Sequence, residues 1–296
     1  MKIVVLGADG FVGRNLNEDL AKHFSCYAST RRKETPLSLN YFFFDLGDRT
    51  TWSVLSEINP GCIINCIGYG VVKNQADIKQ MFDINYFNTV KLYDYLSHKL
   101  PNVYIIHIGT AFEYDTSITH LKENSSCIPS TYYGASKYMT SNWLMNKNAI
   151  KDYSIIRPFN MFGPYEDASK IIPYLINAQK QKSAVQLTEG LQKRDYFFIK
   201  DLSKLVMGLI NTPAGKRPDI INAGSGKAIT IKDLGGLLSE YIKEFDSSLW
   251  NWGKLSYREG ESPVFYNKST VAFDYGMTLT QLGSALELTV NYYWNV

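Results

Sequence analysis

The sequence has few of the residues from which metal centres and disulfide frameworks are built. It holds four cysteines and four histidines among 296 residues, and these form no tight Cys/His cluster of the kind that binds zinc. Cys62 and Cys66 fall inside an apolar run that predicts a buried strand. We therefore expect no metal site, and reduced thiols of the kind found in cytosolic proteins.

Long runs of charge and of hydrophobicity are also missing. The formal net charge is +3, and without a run of five like charges the sequence shows no footprint for nucleic acid or an anionic membrane. No apolar stretch approaches a membrane span, and residues 3–6 are too few for a signal-peptide core. The chain is 45% hydrophobic, which is enough for a sizeable core in one large domain or in two lobes that share a crevice. We expect a cytoplasmic protein.

A glycine-rich turn follows the first apolar run. Residues 3–6 are typical of a buried parallel strand, and residues 14–20 have the pattern of an amphipathic helix. Strand, glycine turn and helix form the setting in which a dinucleotide pyrophosphate rests on a helix N-terminus. Gly7 permits the tight turn, Gly10 lets the backbone approach a phosphate, and Gly13 lets helix and strand pack closely. The predicted cradle consists of Gly7, Asp9, Gly10, Phe11, Val12 and Gly13.

The end of the second predicted strand, residues 26–30, decides which dinucleotide is expected. In this architecture a carboxylate at that place binds the adenosine ribose hydroxyls of NAD. The next residues are instead Arg31, Arg32 and Lys33, and arginine can hold a phosphate through two parallel hydrogen bonds. We therefore favour NADPH over NAD, with Arg31 and Arg32 as contacts of the 2′-phosphate. A solvated basic turn is the alternative.

Further cofactor contacts are expected where the next strands end. A third strand is predicted at 41–44, a fourth strand with its turn at 62–68 and a fifth strand at 103–108, with a helical stretch over about 77–98. The acid after the third strand can meet the adenine amino group, and the turn after the fourth brings backbone past the cofactor. The residues concerned are Asp45, Leu46, Cys66, Ile67 and Gly68, together with Asn85 in the helical stretch.

Tyr133 and Lys137 are four residues apart in a stretch that predicts a helix, so both side chains lie on one face. An ammonium near a phenol lowers the pKa of the tyrosine, which can then give or take a proton at an alcohol or ketone oxygen. Thr110 ends the fifth strand, at the carboxyl edge of the sheet where ligands bind. The alternatives are a surface lysine beside a half-buried tyrosine, and a threonine that only caps a turn.

The second half of the chain predicts a smaller lobe. A sixth strand is expected at 153–157, and two prolines and a glycine predict a rigid loop over 157–165 that crosses into that lobe. Residues 194–201 lead back, followed by a helix over about 201–210 and a seventh strand at 219–224. Helix and loop should complete the smaller lobe from residue 230 onward.

Seven motifs, in order along nearly the whole chain, resemble the extended short-chain dehydrogenase/reductase family in its NAD(P)-dependent epimerase/dehydratase branch, which acts on nucleotide sugars. They are Gly7-x-x-Gly10-x-x-Gly13, Thr110, Tyr133-x-x-x-Lys137, Arg157-Pro158-Phe159-Asn160-x-Phe162-Gly163-Pro164, Arg194-Asp195-Tyr196, Asn222-Ala223-Gly224-Ser225-Gly226 and Arg258-Glu259-Gly260-Glu261. The resemblance implies an α/β fold: a Rossmann-type, doubly wound parallel sheet with a smaller mixed α/β C-terminal substrate lobe. The implied division is 1–164 plus about 198–226 for NADP, and about 165–197 plus 227–296 for the nucleotide sugar.

The resemblance also implies roles for individual residues. Tyr133 would be the acid/base at the substrate carbonyl or carbinol, Lys137 would bind the nicotinamide ribose, and Thr110 would hydrogen-bond the same substrate oxygen. Arg194 and Arg258 resemble diphosphate contacts, and Asn160 resembles a nucleotide-sugar contact. For Arg258 an ordinary ion pair with the neighbouring glutamates is the alternative. The expected partner is a nucleotide-diphosphate sugar whose base stays open among CDP, dTDP, GDP and UDP, and the expected assembly is a homodimer.

Departures from the family patterns narrow the reaction. Nucleotide-sugar 4,6-dehydratases carry Thr-Asp-Glu where this chain has Thr110-Ala111-Phe112, and Glu113 is one position too far along and is expected to point elsewhere. GDP-fucose synthase needs a cysteine and a histidine where this chain has Phe112 and Tyr165. We therefore expect an oxidoreductase, an NADPH-dependent 4-ketoreductase of a nucleotide-linked 4-keto-6-deoxyhexose in deoxysugar biosynthesis for surface polysaccharide such as O-antigen. The alternatives are a 4-epimerase with retained NAD and a non-catalytic NADPH-binding regulator.

Overall fold

The computed structural model describes residues 1–32, 40–72, 74–147, 149–257 and 262–295. Within these residues seven parallel strands form the central sheet. In chain order they are β1 (Lys2–Leu6), β2 (Ser25–Thr30), β3 (Tyr41–Phe43), β4 (Cys62–Asn65), β5 (Tyr104–Ile108), β7 (Tyr153–Pro158) and β11 (Ile220–Ala223). Their order across the sheet is β3-β2-β1-β4-β5-β7-β11. The order reverses between β1 and β4, and ligands bind at such a switch point.

Helices cover both faces of this sheet because successive residues of its strands point to opposite sides. Ile3 and Val5 of β1 belong to one apolar cluster and Val4 belongs to the other. The helices are α1 (Phe11–Leu20), α2 (Ser53–Ile58), α3 (Ile78–Phe82), α4 (Thr89–Lys99), α5 (Tyr132–Lys147), α6 (Ile171–Lys180), α7 (Ile199–Asn211), α8 (Ile231–Ser239), α9 (Val271–Asp274) and α10 (Leu282–Asn295). Helices α1 and α7 pack on the first face, and α2, α4 and α5 on the second. The predicted doubly wound fold is confirmed.

A second, mixed sheet lies apart from the central sheet. It contains β6 (His120–Leu121), β8 (Asn160–Phe162), β10 (Lys193–Phe198), β12 (Ala228–Thr230) and β14 (Val264–Asn267). Two short strands, β9 (Val185–Gln186) and β13 (Trp250–Asn251), pair beside it. Strands β6 and β8 precede residue 165, although the predicted division assigns that part of the chain to the cofactor domain. The division therefore stays a prediction.

One local prediction is wrong. The segment 157–165 is not loop throughout, because β8 pairs in parallel with β10 and buries Phe162. The helical stretch expected over about 77–98 is confirmed, and it contains a π-helical turn, Asp83–Asn88, between α3 and α4. Within this turn the Asn85 carbonyl accepts a hydrogen bond from the Thr140 hydroxyl at 2.6 Å. Such turns are frequent at functional sites. None of the helices in the described residues is long and apolar enough to cross a membrane.

Candidate active site

The three glycines of the N-terminal turn serve different purposes. Gly7 has φ +77°, and an added Cβ would lie 3.0 Å from the Ile67 nitrogen. A Cβ on Gly13 would lie 2.3 Å from the Gly7 carbonyl oxygen, so this glycine is required for α1 to pack on β1. A Cβ on Gly10 meets only the Gly7 oxygen, at 3.4 Å. Packing within the protein therefore does not require Gly10, whose bare backbone leaves room for a ligand.

Helix α1 begins in this turn with its first N–H groups open to a ligand. Gly10 is the N-cap and provides no side-chain hydrogen bond, and the first turn carries no acidic residue. The backbone of Phe11 and Val12 lies in that turn. Uncapped N–H groups and the positive end of the helix dipole favour a pyrophosphate. The residues present therefore fit a dinucleotide, as the spacing predicts.

Asp9 brings a carboxylate to the end of β2. Its Oδ2 accepts hydrogen bonds from the Thr30 hydroxyl at 2.8 Å and from the Arg31 N–H at 3.3 Å. The same cleft is lined by Ala8, Asp9, Arg14, Glu18, Thr30, Arg32 and Tyr41. The sequence pattern after β2, which is purely basic, does not reveal this carboxylate because the glycine turn supplies it. The cleft thus offers both cations for a phosphate and an anion for ribose hydroxyls.

The turn after β4 borders the glycine turn, as the close approach of Gly7 and Ile67 shows. Asn65 fixes it by accepting a hydrogen bond from the Ile67 N–H at 3.0 Å. This arrangement brings Cys66, Ile67 and Gly68 to the predicted cofactor site. Burial raises the pKa of the Cys66 thiol to about 12, so it is protonated at neutral pH.

Asn85 and Asp45, two further predicted cofactor contacts, are partly used inside the protein. The Asn85 amide donates to the Tyr69 carbonyl at 2.8 Å and to the Ser136 hydroxyl at 2.9 Å. Asn85 therefore fastens α5 to the turn after β4. One Asp45 oxygen accepts from the Gly47 N–H at 2.8 Å, and Leu46 beside it is buried. Their contact with a cofactor stays a prediction.

Tyr133 and Thr110 meet at the carboxyl end of β5. Thr110 precedes a 3-10 turn, Ala111–Glu113, and its hydroxyl accepts from the Phe112 N–H at 3.3 Å. The start of α5 packs directly on this turn, because a Cβ on Gly134 would lie 2.2 Å from the Phe112 carbonyl oxygen. This close approach brings the Tyr133 hydroxyl next to the Thr110 side chain. The structure thus brings the predicted pair together.

The protonation state of Tyr133 differs from the expectation. Burial raises the pKa of Tyr133 to about 12, the Thr110 hydrogen bond opposes that rise, and the Glu113 charge adds to it. The predicted lowering of this pKa by Lys137 is therefore wrong for this structure, since desolvation has the largest effect on this phenol. Tyr133 is a neutral phenol at physiological pH and can donate a proton.

Lys137 is 3% exposed, one helical turn beyond Tyr133. Burial lowers the pKa of Lys137 to about 8, against the opposing charge of Glu113. Among the described residues we find no hydrogen-bond acceptor for its ammonium. An ammonium without a protein acceptor can donate to a ligand, and the hydroxyls of a nicotinamide ribose fit it.

Glu113 does not point into the site. It is fully buried, its Oε1 accepts from the Thr110 N–H at 2.9 Å, and its Oε2 pairs with the Arg157 Nε at 2.8 Å. The prediction that this carboxylate points elsewhere is confirmed. No carboxylate stands at 111 or 112, so the threonine loop lacks the acid and base of a dehydratase.

Aromatic side chains occupy the two places where carbon-acid epimerisation would need a cysteine and a histidine. Phe112 is 38% exposed and stacks on Phe265, with 5.4 Å between ring centroids. Tyr165 has φ +69°, and its ring centre lies 3.7 Å from the Arg14 guanidinium carbon on α1. Neither side chain can exchange a carbon-bound proton at neutral pH.

Two of the predicted substrate contacts, Asn160 and Arg194, lie on the second sheet. The Asn160 amide donates to the Asp195 carbonyl at 3.1 Å, which places it beside Arg194 on the neighbouring strand. Arg194 is partly buried and donates to the Lys193 carbonyl at 2.9 Å. Arg258 lies outside the described residues. Their contact with a substrate stays a prediction.

A model of the "NAD dependent epimerase/dehydratase family" matches residues 3–224. The chain belongs to this family. CDP-abequose synthase of Salmonella muenchen is 22% identical over 295 residues, or 98% of this chain and 94% of the relative. dTDP-4-dehydro-6-deoxyglucose reductase of Escherichia coli is 25% identical over 57% of this chain and 52% of its own length. The crystal structure of a Thermus thermophilus UDP-glucose 4-epimerase in complex with NAD superimposes with a TM-score of 0.85 at 18% identity, over 99% of each chain. The family and fold predicted from the motifs are confirmed.

In this epimerase/dehydratase family member, Asp195 has a role that the sequence analysis missed. One oxygen accepts from the Ser225 N–H at 2.7 Å and from its hydroxyl at 2.6 Å. The other accepts from the Gly226 N–H at 3.0 Å and the Asn267 N–H at 3.1 Å. The carboxylate thus ties β10 to the loop after β11 and to β14. The signal was an acid at a buried position of a strand that continues with three aromatic residues.

Proposed function

We propose that the protein reduces the 4-keto group of a nucleotide-linked 4-keto-6-deoxyhexose with NADPH, in deoxysugar biosynthesis for surface polysaccharide. The observation that carries the proposal is the Thr110–Tyr133 pair, with a protonated tyrosine and with no carboxylate, cysteine or histidine at positions 111, 112 and 165. Elimination and carbon-acid epimerisation need groups that this site lacks. Similarity to a CDP-abequose synthase over 98% of the chain supports the substrate class.

The residues of the site suit proton delivery to a ketone that becomes an alcohol. NADPH, when bound, supplies the hydride. Tyr133, a neutral phenol, gives its proton to the oxygen as negative charge develops there. Thr110 hydrogen-bonds the same oxygen, and the Lys137 ammonium stabilises the charge through its field and holds the ribose.

The cleft at the end of β2 supports NADPH through its cations. Arg14 and Arg32 line it, and Arg31 follows the strand directly. Two guanidinium groups can hold a 2′-phosphate by charge-assisted hydrogen bonds. In this arrangement Arg14, which the sequence analysis did not single out, joins Arg31 and Arg32 as a phosphate contact.

A 4-epimerase with retained NAD is the second candidate, and one observation favours it. The Asp9 carboxylate reaches the same cleft, where an acid can accept hydrogen bonds from the ribose hydroxyls of NAD. Such an enzyme needs only Thr110, Tyr133 and Lys137 for its chemistry. The epimerase and the reductase therefore differ in cofactor rather than in catalytic residues.

One experiment separates these candidates. The purified protein is offered CDP-, dTDP-, GDP- and UDP-linked 4-keto-6-deoxy sugars with NADPH, and absorbance at the reduced nicotinamide is followed. The corresponding 4-hydroxy sugars are offered in parallel without added cofactor. Stoichiometric consumption of NADPH with reduction of a 4-keto sugar supports the reductase. Inversion at C4 of a 4-hydroxy sugar without net cofactor change supports the epimerase, and cofactor binding without any product supports a non-catalytic regulator.

Cofactor preference has its own test in two variants of the cleft. Replacing Arg32 with alanine should weaken NADPH binding about tenfold and leave NADH binding within about twofold, because one charge-assisted contact to the 2′-phosphate is lost. Replacing Asp9 with alanine should leave NADPH binding intact or improve it. The reverse pattern, in which Asp9→Ala weakens NADH binding and Arg32→Ala changes nothing, would favour NAD.

We also propose, by analogy with the family, a homodimer that forms through α4 and α5. Phe87 in the π turn before α4 and Tyr132 at the start of α5 are 46% and 61% exposed. Sedimentation equilibrium measures the mass in solution, and a monomer at micromolar concentration would contradict the dimer.

A further inference from the structure

A buried ion pair lies beneath Thr110, and the chemistry proposed above does not use it. The side chains of Glu113 and Arg157 are 0% and 1% exposed. Removing two charges from water costs more than their attraction returns unless the geometry is favourable, and apolar residues often stabilise such a place better. A pair kept directly under a catalytic threonine therefore suggests a role in the reaction.

The contacts of Glu113 divide its carboxylate between Thr110 and Arg157. Oε1 accepts a hydrogen bond from the Thr110 N–H at 2.9 Å, and Oε2 accepts one from the Arg157 Nε at 2.8 Å. Gly109 makes room for this arrangement, since a Cβ there would lie 2.4 Å from Oε1. Arg157 in turn lies over the Tyr114 ring, 4.6 Å from its centre. The carboxylate cannot shift without moving the threonine whose hydroxyl meets Tyr133.

The Glu113 charge also acts on both titratable groups of the site. It raises the pKa of Tyr133, which burial also raises. It raises the pKa of Lys137 as well, where burial has the larger and opposite effect. The other groups that face Lys137 are Cys66 and His107, both neutral at physiological pH because burial raises the pKa of the thiol and lowers that of the imidazole. Glu113 is therefore the anion that favours the charged form of Lys137.

We propose that Glu113 is a positioning residue, which is held by Arg157, fixes Thr110 beside Tyr133, and places a negative charge near Lys137. The proposal rests on the function proposed above for Tyr133 and Lys137. In this proposal Glu113, three residues after Thr110, positions the site and takes no part in an elimination of water.

A matched pair of double variants isolates the contact to Thr110. Glu113→Gln with Arg157→Met removes both charges and keeps an amide oxygen for the Thr110 N–H. Glu113→Leu with Arg157→Met removes both charges and that acceptor. Replacing the pair together avoids a lone buried charge, so both variants should fold. Glu123→Gln is the control, because Glu123 bonds the Asn222 N–H and the Ser269 hydroxyl, away from Tyr133.

Turnover and cofactor affinity are measured for each variant from about pH 6 to about pH 9.5, a range that spans the Lys137 pKa of about 8. The leucine variant should lose about a hundredfold in kcat, with cofactor affinity at acidic pH within about twofold of wild type, because a misplaced catalytic group costs rate first. The glutamine variant should recover about tenfold of that loss. In both, cofactor affinity should fall at a lower pH than in wild type, because Lys137 without the Glu113 charge gives up its proton earlier.

The outcomes also separate this inference from the function. Equal kcat in the two double variants, or a pH dependence of cofactor affinity that matches wild type, would overturn it. So would a loss in the Glu123→Gln control of the same size. The cofactor titration uses no sugar: if wild type turns over nothing in the panel, the proposed function fails, while the pH dependence of binding still supports or overturns the charge effect of Glu113.

Discussion

Burial shifts the pKa values of two neighbouring side chains on α5, Tyr133 and Lys137, in opposite directions. Burial raises the pKa of Tyr133 to about 12 and lowers that of Lys137 to about 8. Desolvation disfavours the charged form of each group, which is the anion for tyrosine and the cation for lysine. The spacing in the sequence places them on one face, but it does not tell how deeply each is buried. For that reason the pair is predictable and the direction of the tyrosine shift is not.

Replacing Tyr133 with phenylalanine tests the proton donor. The variant should bind NADPH as wild type does and lose about 10²–10⁴-fold in kcat, because only the transferred proton is removed. Tyr132→Phe is the matched control, since this neighbour is 61% exposed and should turn over normally. Stopped-flow turnover and cofactor titration measure both quantities. Near-normal turnover of Tyr133→Phe would refute the assignment.

Replacing Lys137 with methionine should separate function from stability. Cofactor affinity and rate should both fall, because the ammonium is lost. Stability at neutral pH should rise by about 2–3 kcal/mol, because the folded pKa of about 8 lies below that of the unfolded chain and the buried cation opposes folding. The same linkage makes wild type more stable as pH rises from about 8 toward 10.5. Urea denaturation at about pH 7 and about pH 9.5 checks this, because the gain from methionine should shrink at the higher pH.

At the scale of elements, the glycine turn carries both a packing requirement and a ligand requirement. Gly13 allows α1 to approach β1, and Gly10 leaves its outer side open. The sequence spacing predicts both purposes, because strand, turn and helix are contiguous in the chain and their geometry is local. The motif can therefore be interpreted without knowledge of any tertiary contact.

Alanine at Gly10 and alanine at Gly13 should affect different properties, namely cofactor binding and stability. Gly10→Ala should keep the melting temperature within a few degrees and weaken cofactor binding about tenfold, because its methyl group meets ligand rather than protein. Gly13→Ala should destabilise the fold by about 1–3 kcal/mol, because the new Cβ overlaps the Gly7 carbonyl. Calorimetry and fluorescence titration of NADPH measure the two effects. Equal destabilisation by both would contradict the separation.

The π turn and β8 could not be predicted from local sequence, because both depend on contacts with distant segments. The π turn exists because the Asn85 carbonyl and amide are taken by Thr140, Ser136 and Tyr69 from other elements. Strand β8 exists because β10, which follows much later in the chain, lies beside it. Periodicity within either segment carries no trace of these partners, so a helix and a loop are the natural predictions.

At the scale of the whole molecule, one carboxylate joins parts of the chain that are distant in sequence. Asp195 accepts hydrogen bonds from the loop after β11 and from β14, and these fix the second sheet against the central sheet. The family motifs include both the Asp195 segment and the Ser225–Gly226 segment. The contact between these two segments could not be predicted, because neither motif contains information about which residues it meets in the folded chain.

Replacing Asp195 with alanine should destabilise the protein by about 3–5 kcal/mol, since several buried N–H groups lose their acceptor at once. Asp233→Asn is the control, because Asp233 is exposed on α8 and such changes cost about 0.5 kcal/mol or less. Urea denaturation monitored by tryptophan fluorescence measures both. A loss in Asp195→Ala no larger than in the control would show that the carboxylate does not join the two sheets.

The pairing of β6 with β14 has a consequence for the order in which the two sheets fold during synthesis. His120 pairs with Tyr266 and Leu121 with Asn267, so the second sheet waits for a late segment of the chain. The glycine turn and the first five strands of the central sheet leave the ribosome well before that. Since domains fold largely as their segments emerge, the dinucleotide is the earliest ligand able to stabilise the nascent chain. Supply of cofactor during translation would then influence how much of the enzyme reaches its finished form.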